Sequence, residues 1–266
     1  MTGDRHGRLK EYAGEDRVIS CRELMLSFSQ EKATAVNVKA LIPGIDAACD
    51  GFRGGELITI SGPTKNGKTL LAQTLTVNFA KQYTFPLWFS FEVPARQFLD
   101  QFQELPLIYM PQKLKPRAME WFEERVYEAF IKYNTRIVFV DHLHYLVDLA
   151  RQKQMSIEIG TIIRRLKTLA VQGDFTILLM CHTIKGKQDG ILSYESIRDS
   201  SFISQESDSV IMIKRTPEDG DNTARARVEF HRRTGVLERT VNLVKINGLL
   251  QERAADRETR DRADFA

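Results

Sequence analysis

Four continuous apolar runs in the first two thirds of the chain predict buried β-strands. They lie near residues 56–60, 86–91, 136–141 and 175–181. Within the last two, residues 137–140 and 176–180 do not alternate with polar positions, as expected for strands that are covered on both faces. Strands of this kind are typical of parallel sheets with helices on each side, so the pattern predicts a mostly parallel central sheet.

The last third of the chain shows a different pattern. A fifth apolar run lies near 209–214, whereas the runs near 225–231 and 239–246 alternate apolar with polar side chains around a turn at Gly235. This alternation predicts an antiparallel pair of strands. Apolar residues at helical spacing over 159–170 predict a helix packed on the sheet. We therefore expect an α/β fold, a mostly parallel sheet flanked by helices with an antiparallel C-terminal strand pair.

Charge and composition narrow the class of protein. We expect an N-terminal tail and linker over 1–40, one domain over 41–250 and a charged C-terminal tail over 251–266. The net charge of +3 is too small to indicate nucleic-acid binding by itself. The 3 cysteines are unpatterned, and no signal peptide or membrane-spanning stretch is visible. We therefore expect a soluble, cytoplasmic protein with no membrane partner.

The first predicted strand leads into a phosphate-binding motif. Residues 62–69 read Gly-Pro-Thr-Lys-Asn-Gly-Lys-Thr, which fits G-x-x-x-x-G-K-[ST] between an apolar strand and an apolar helical face. In this motif backbone N–H groups approach phosphate oxygens, Lys68 contacts the β and γ phosphates, and the Thr69 hydroxyl holds Mg²⁺. It predicts binding of ATP or GTP with Mg²⁺ by Gly62, Pro63, Thr64, Lys65, Asn66, Gly67, Lys68, Thr69 and Leu70.

Two carboxylates end predicted strands. Asp141 follows an apolar strand, where it could join Thr69 as a ligand of Mg²⁺ beside the phosphate loop; an Asp in this place is also a common helix cap. Glu92 ends the run at 86–91, at the strand edge that faces the ligand in parallel nucleotide-binding sheets. It could orient or deprotonate the attacking water, or it could cap the helix that follows Pro94.

Three more polar residues are candidates for contact with phosphate. His182 ends the fourth strand, where it could touch the γ-phosphate or serve as a structural histidine. Arg232 and Arg233 lie at the tip of the predicted hairpin, which is not placed to serve the phosphate loop of its own chain. A guanidinium that contacts the phosphates bound by a neighbouring subunit would raise the rate of hydrolysis by a factor of about 10³–10⁵.

In this order the motifs resemble the motor domain of DnaB-type hexameric replicative helicases, which has a RecA-like P-loop NTPase fold. The resemblance covers about residues 40–250. It rests on the approach sequence over 42–57, the strand over 89–94 and the segment over 196–208, in which Gln205 and Asp208 occupy family-like positions. The histidines that follow Asp141 and Cys181 are similar to those of phage primase-helicases and the mitochondrial helicase Twinkle.

The resemblance implies an ATP-driven, ring-forming helicase that translocates on single-stranded DNA as a homo-oligomer, a hexameric ring, with a primase or loader as a further partner. It implies catalytic roles for Lys68 and Glu92, a γ-phosphate sensor at His182 and an arginine finger at Arg232. The chain departs from the family at Phe230, where a lysine is usual. Because two arginines stand side by side, either Arg232 or Arg233 could be the arginine finger. With no room for a primase domain or collar in its first 40 residues, it resembles a stripped, phage-encoded motor.

Two further features bear on assembly and DNA binding. Leu24, Met25 and Phe28 have helical spacing, so this segment could dock on an adjacent subunit or pack in the core of its own chain. The loops after the third and fourth strands would face the channel of a ring. Their cations could contact the DNA backbone or could simply be solvated; they are Arg151, Lys153, Lys185 and Lys187.

Two other functions fit the same motifs. A RecA/RadA-like recombinase or recombination mediator would form filaments and exchange strands without unwinding them. A KaiC-like regulatory ATPase would use a hexamer to bind protein partners, and DNA would not stimulate its hydrolysis. Images with an ATP analogue and single-stranded DNA would separate rings, filaments and monomers.

Overall fold

The structure is a computed structural model that describes residues 10–14, 17–30, 36–147, 155–182 and 200–253. The chain divides into two units, Met1–Ala35 and Val36–Ala266. In the first unit, helix α1 (Cys21–Gln30) begins with a capping box. The Glu23 carboxylate accepts a bond of 2.9 Å from the Ser20 backbone N–H, and the Glu23 N–H donates to the Ser20 hydroxyl over 3.2 Å. Both Leu24 and Met25 are exposed.

The second unit contains ten strands and six α-helices among its described residues. The strands are β1 (Asn37–Val38), β2 (Phe52–Arg53), β3 (Leu57–Gly62), β4 (Leu87–Ser90), β5 (Ile137–Asp141), β6 (Thr176–His182), β7 (Ser209–Arg215), β8 (Thr223–His231), β9 (Leu237–Ile246) and β10 (Leu249–Glu252). The helices are α2 (Pro43–Cys49), α3 (Lys68–Ala80), α4 (Ala95–Leu99), α5 (Met119–Tyr133), α6 (Met155–Gly173) and α7 (Ser200–Glu206), with 3₁₀ turns at Leu143–Tyr145 and Pro217–Asp219.

Eight strands form one sheet in the order β10-β9-β8-β7-β3-β6-β5-β4, while β1 and β2 form a separate antiparallel pair. The five strands from β7 to β4 in this order are parallel, and β8, β9 and β10 are antiparallel. The predicted mostly parallel sheet with antiparallel C-terminal strands is therefore confirmed. Because all parallel strands end at the same edge, the polar residues that follow β3, β4, β5 and β6 converge there.

The parallel part of the sheet is buried on both faces, as its continuous apolar strands predicted. Along β5, Ile137 and Phe139 belong to one hydrophobic core, and Val138 and Val140 belong to the other. Helix α3 packs on the first face through Leu71, Leu75 and Phe79. Helices α5 and α6 pack on the second face through Phe122, Val126, Ile159, Ile163 and Leu166. This packing holds the strand ends, and the residues that follow them, in fixed relative positions.

The structure corrects both ends of the expected domain. The second unit begins at Val36 rather than near residue 41, and β1 belongs to it. At the other end, residues 251 and 252 were assigned to the tail but lie in β10. The turn before β10 is Asn247-Gly248, and both residues have positive φ, 48° and 78°, as in the two-residue turns that Asn-Gly favours. Glu252 is buried and accepts a hydrogen bond of 2.7 Å from Gly44 N–H.

Within the described part of the chain, no helix has both the length and the apolar character that crossing a membrane requires.

Candidate nucleotide-binding site

The phosphate loop connects the end of β3 to the start of α3. Gly62 has φ 152°, and a Cβ added to it would lie 2.1 Å from the Ile213 carbonyl oxygen, so a larger residue would collide with the backbone of β7. Gly67 has φ 96° and caps α3. The glycines therefore allow a tight loop that ends at a helix N-terminus, where unpaired N–H groups favour phosphate.

The Lys68 ammonium lies inside this loop. It donates hydrogen bonds of 2.9 Å to the carbonyl oxygens of Gly62 and Pro63, and the residue is only 6% exposed. Burial lowers the pKa of Lys68, whereas the nearby carboxylates of Asp141 and Glu92 oppose that change. The loop thus holds a buried cation at the place where the motif requires one for the β and γ phosphates.

Thr69 and Asp141 bring a hydroxyl oxygen and a carboxylate oxygen together beside the phosphate loop. The Thr69 hydroxyl donates to Asp141 Oδ2 over 2.9 Å. Burial raises the pKa of Asp141 to about 6, against the lowering effect of the Thr69 hydrogen bond. Strand β6 lies between β3 and β5, so Asp141 reaches the phosphate loop across one intervening strand. A hydroxyl and a carboxylate are oxygen ligands of the kind Mg²⁺ prefers, so these residues fit the ion.

Glu92 and two histidines lie at the same edge of the sheet. His182 pairs in register with Gly62, and its Nε2 lies 4.0 Å from Glu92 Oε2. The His142 ring lies 4.3 Å from the His182 ring and almost perpendicular to it. Burial, with smaller effects from Lys68 and the neighbouring histidines, lowers the pKa of His142 to about 3 and that of His182 to about 4. Both imidazoles are therefore neutral at neutral pH.

Arg232 lies at the other edge of the sheet. Its backbone N–H donates to the Asp208 carbonyl, and the Asp208 N–H in turn donates to the Leu57 carbonyl, at the start of β3. The phosphate loop begins at the end of β3, five residues further on, which is about 17 Å along a strand. This separation exceeds the reach of an arginine side chain. Arg232 is exposed, and its guanidinium donates to the Gln205 carbonyl oxygen.

Arg233 is tied into its own chain. Its Nε lies 2.8 Å from Glu56 Oε1, and its Nη2 donates to the carbonyl oxygens of Cys49 and Gly51 over 2.8 and 3.0 Å. These contacts connect the β8–β9 turn to the loop after α2. Both arginines therefore contact their own chain, and Arg233 makes more of these contacts than Arg232 does.

A family model described as the DnaB-like helicase C terminal domain matches residues 99–245, more than half of the chain. The chain belongs to this DnaB-like family. A "Probable replicative DNA helicase" of Trieres chinensis is 20% identical over 228 residues, which cover 72% of this chain and 50% of that protein. The chain thus spans about half the length of this curated relative.

Solved structures support the fold of this DnaB-like domain. One is of a DnaB-like replicative helicase, described with its interactions with primase; it has a TM-score of 0.73 and 17% identity over 93% of this chain and 70% of its own. Another is the ATPase domain of a second protein, with a TM-score of 0.75 and 16% identity over 88% of this chain and 99% of its own. The RecA-like fold that the resemblance implied is therefore confirmed.

The DnaB-like domain also has a cavity of about 180 Å³ beside the phosphate loop, which the sequence analysis missed. Its walls include Gly67 and Leu70 from the loop and α3, Arg215 from the end of β7, and Lys245 and Leu250 from β9 and β10. The cavity depends on β10, which was not predicted. It combines apolar side chains with cations, and one of its walls is the phosphate loop.

The structure brings together the phosphate loop, Asp141, Glu92 and His182, and it keeps Arg232 apart from them. His142 was noted from the sequence only as a mark of the resemblance, although its place directly after Asp141 at a strand end was the signal for a site residue. The predicted DNA-binding cations Arg151, Lys153, Lys185 and Lys187 lie outside the described residues. Their roles stay predictions.

Proposed function

We propose that this DnaB-like domain is an ATP-driven replicative DNA helicase, a motor that hydrolyses ATP while it moves along single-stranded DNA as a homo-oligomeric ring. The observation that carries the proposal is the hydrogen bond between Thr69 and Asp141 beside the buried Lys68 ammonium. This arrangement combines phosphate contacts with oxygen ligands for a metal ion at the carboxyl edge of a parallel sheet.

Binding of the triphosphate involves the loop and its two neighbouring polar residues. On this proposal the ammonium of Lys68 would exchange its carbonyl contacts within the loop for the β and γ phosphates, while Thr69 and Asp141 would hold Mg²⁺. The ion, when bound, neutralises charge on the β and γ phosphate oxygens. The base would enter the cavity lined by Leu70, Arg215 and Leu250.

Hydrolysis would depend on Glu92 and His182. The Glu92 carboxylate is exposed, lies 4.0 Å from His182 Nε2 and acts electrostatically on the Lys68 ammonium, so it is placed to orient a water molecule and accept its proton. His182, neutral because burial lowers its pKa, can donate a hydrogen bond to the γ-phosphate without adding a full charge. Residues 183–199 follow β6 and include Lys185 and Lys187, so a displacement of His182 on hydrolysis would be passed directly to a predicted DNA loop.

Assembly would complete the site. Because Arg232 is exposed at the opposite edge from its own phosphate loop, we infer that it contacts the triphosphate of a neighbouring subunit in a hexameric ring. Helix α1 presents Leu24 and Met25 to solvent and would dock on the adjacent subunit; the Phe28 side chain lies outside the described part. A solved DnaB-like helicase is described with its interactions with primase, and we infer a primase or loader as a partner here. The setting we infer is the cytoplasm, in a phage-infected bacterial cell.

Three measurements on the purified protein test this proposal. We expect rings in electron-microscope images with an ATP analogue and single-stranded DNA, hydrolysis that DNA stimulates, and unwinding of a forked duplex. Filaments with strand exchange and no unwinding would instead indicate a recombinase or mediator. Hydrolysis that DNA does not stimulate would indicate a regulatory ATPase.

A further inference from the structure

Three potential metal ligands converge beside the phosphate loop. Glu92, His142 and His182 each present one ligand atom, and these atoms lie within 4.8 Å of one another. They follow or end the adjacent strands β4, β5 and β6. The Nδ1 atoms of both histidines are buried and have no hydrogen-bond partner in the described part of the chain. Two imidazoles and a carboxylate are thus held together, with His182 Nε2 4.0 Å from Glu92 Oε2.

We propose that Glu92, His142 and His182 form a second metal site, which binds a borderline-soft divalent ion of the Zn²⁺ class. Two nitrogen ligands and one carboxylate, with a further position open, make up a common zinc donor set. Mg²⁺ prefers oxygen ligands and keeps much of its water, so it would stay at Thr69 and Asp141. The ligand types therefore separate the two ions.

The geometry requires only a local contraction. Zinc–ligand distances of about 2.0–2.2 Å in a tetrahedral site place ligand atoms roughly 3.3 Å apart. In the structure the three ligand atoms lie within 4.8 Å of one another. The Glu92 side chain is 41% exposed, so it can rotate toward the histidines without disturbing the core. The 4.8 Å limit applies to the two imidazole nitrogens as well, so binding also requires small rotations of the His142 and His182 rings at their strand ends.

The charges around the site affect its affinity for a divalent ion. The Lys68 ammonium is close enough to lower the pKa of both histidines, and it would repel a divalent ion. The Glu92 carboxylate offsets part of this repulsion. With three protein ligands and a neighbouring cation, we expect a dissociation constant on the order of micromolar, weaker than that of a four-ligand structural zinc site.

Occupation of the site would stop hydrolysis. A carboxylate that ligates a metal ion cannot also accept the proton of the attacking water, so Zn²⁺ would lower turnover by removing Glu92 from the reaction. This consequence rests on the role proposed for Glu92 above. The binding of the ion does not, because it depends only on the three ligands.

The binding experiment uses the nucleotide-free chain of 266 residues in millimolar Mg²⁺, with Cys21→Ser throughout to remove an exposed thiol. Zn²⁺ is titrated calorimetrically, and Co²⁺ is titrated by its visible absorption. We expect one ion per subunit, with affinity at least about tenfold weaker in His142→Gln, His182→Gln and Glu92→Gln. His231→Gln is the matched control, a buried histidine at the opposite edge of the sheet, and it should bind like the parent.

Equal binding by all four variants, or no binding by the parent, would overturn the proposed site. Circular dichroism identifies any histidine variant that fails to fold, and Glu92→Gln, with its partly exposed side chain, still decides the question in that case. A second measurement follows ATP turnover with added Zn²⁺ and its recovery after chelation. Binding without inhibition would leave the metal site standing and would contradict the role of Glu92.

Discussion

Gly62 and His182 are register partners on the adjacent parallel strands β3 and β6. The first residue of the phosphate loop and the candidate γ-phosphate sensor therefore lie side by side. A Cβ on Gly62 would meet the Ile213 carbonyl on the other flank, so the loop begins between two strands with little space to move. His182 is consequently held next to the start of the loop by the pairing of two buried strands.

The first prediction separates nucleotide binding from hydrolysis. Lys68→Ala should lose ATP hydrolysis because it removes the charge that faces the β and γ phosphates. Glu92→Gln should still bind a fluorescent ATP analogue, while phosphate release should slow by about 10²–10⁴-fold, as expected for loss of a general base. Turnover at the parent rate in Glu92→Gln would remove this residue from the mechanism.

The second prediction concerns Arg232. Arg232→Ala and Lys68→Ala should each be inactive alone, yet a mixture of the two should recover part of the hydrolysis. Interfaces that combine an intact phosphate loop with an intact arginine would form again in mixed assemblies. Phosphate release is measured against the ratio of the two variants. A mixture that stays inactive at every ratio would contradict a contribution of Arg232 between subunits.

The third prediction distinguishes the tandem arginines by stability. Arg233→Ala removes a charged contact with Glu56 and two donors to backbone carbonyls, so we expect a loss of roughly 1.5–3 kcal/mol in the free energy of unfolding. Arg232→Ala, at an exposed position, should change it by no more than about 0.5 kcal/mol. Urea unfolding of the two variants measures the difference. Equal losses would contradict the division of roles between them.

The fourth prediction tests the DNA loop. Neutralising Lys185 and Lys187 together should weaken single-stranded DNA binding to a similar degree for every sequence. It should also reduce the slope of log affinity against log salt by about 0.7 for each phosphate contact that is lost. Basal hydrolysis should persist while stimulation by DNA falls. If slope and stimulation both match those of the parent, the loop does not contact DNA.

The fifth prediction is a pH dependence of stability. His231 is buried, and burial lowers its pKa despite the opposing attraction of Glu56. Its folded pKa therefore lies below the unfolded value of 6.5. As the pH falls through 6.5, this histidine takes up a proton in the unfolded chain more readily than in the folded chain. The free energy of unfolding therefore decreases as the pH falls through that value. His142 and His182 act in the same direction, whereas Asp141, with its raised pKa, acts in the opposite one.

The contribution of His231 is isolated by comparison with His231→Gln. Between pH 7.5 and 5.5 the variant should lose less stability than the parent, by at most about 1.4 kcal/mol per pH unit. Urea unfolding at the two pH values provides the measurement. Parallel losses in parent and variant would show that His231 is protonated equally in both states.

The parts of the site that could be predicted from the sequence are those encoded locally. The phosphate loop is one contiguous motif, and Asp141 and Glu92 each end an apolar run, so strand direction alone places them at one edge. The contact of Thr69 with Asp141 across an intervening strand required the strand order, which apolar periodicity does not contain. The sequence could therefore predict that Thr69 and Asp141 act together, but it could not predict that a strand lies between the strands that carry them.

Other features depended on pairings between distant segments. The contacts of Arg233 with the Cys49 and Gly51 carbonyls use backbone atoms more than 180 positions away, and no local pattern reports them. The encounter of His142 with His182 likewise depends on β5 and β6 being neighbours. By contrast, β10 was missed although Asn247-Gly248 is a strong local turn signal, because the charged residues that follow it obscured a short strand.

The reversed direction of β8 has a consequence for how a cell would consume ATP. By returning to the far edge of the sheet, this strand carries Arg232 away from the phosphate loop that precedes it in the chain. If Arg232 acts between subunits, an isolated subunit can retain ATP but hydrolyses it slowly. A dilute pool of unassembled protein would then leave the ATP supply almost untouched, and consumption would rise steeply with the protein's own concentration.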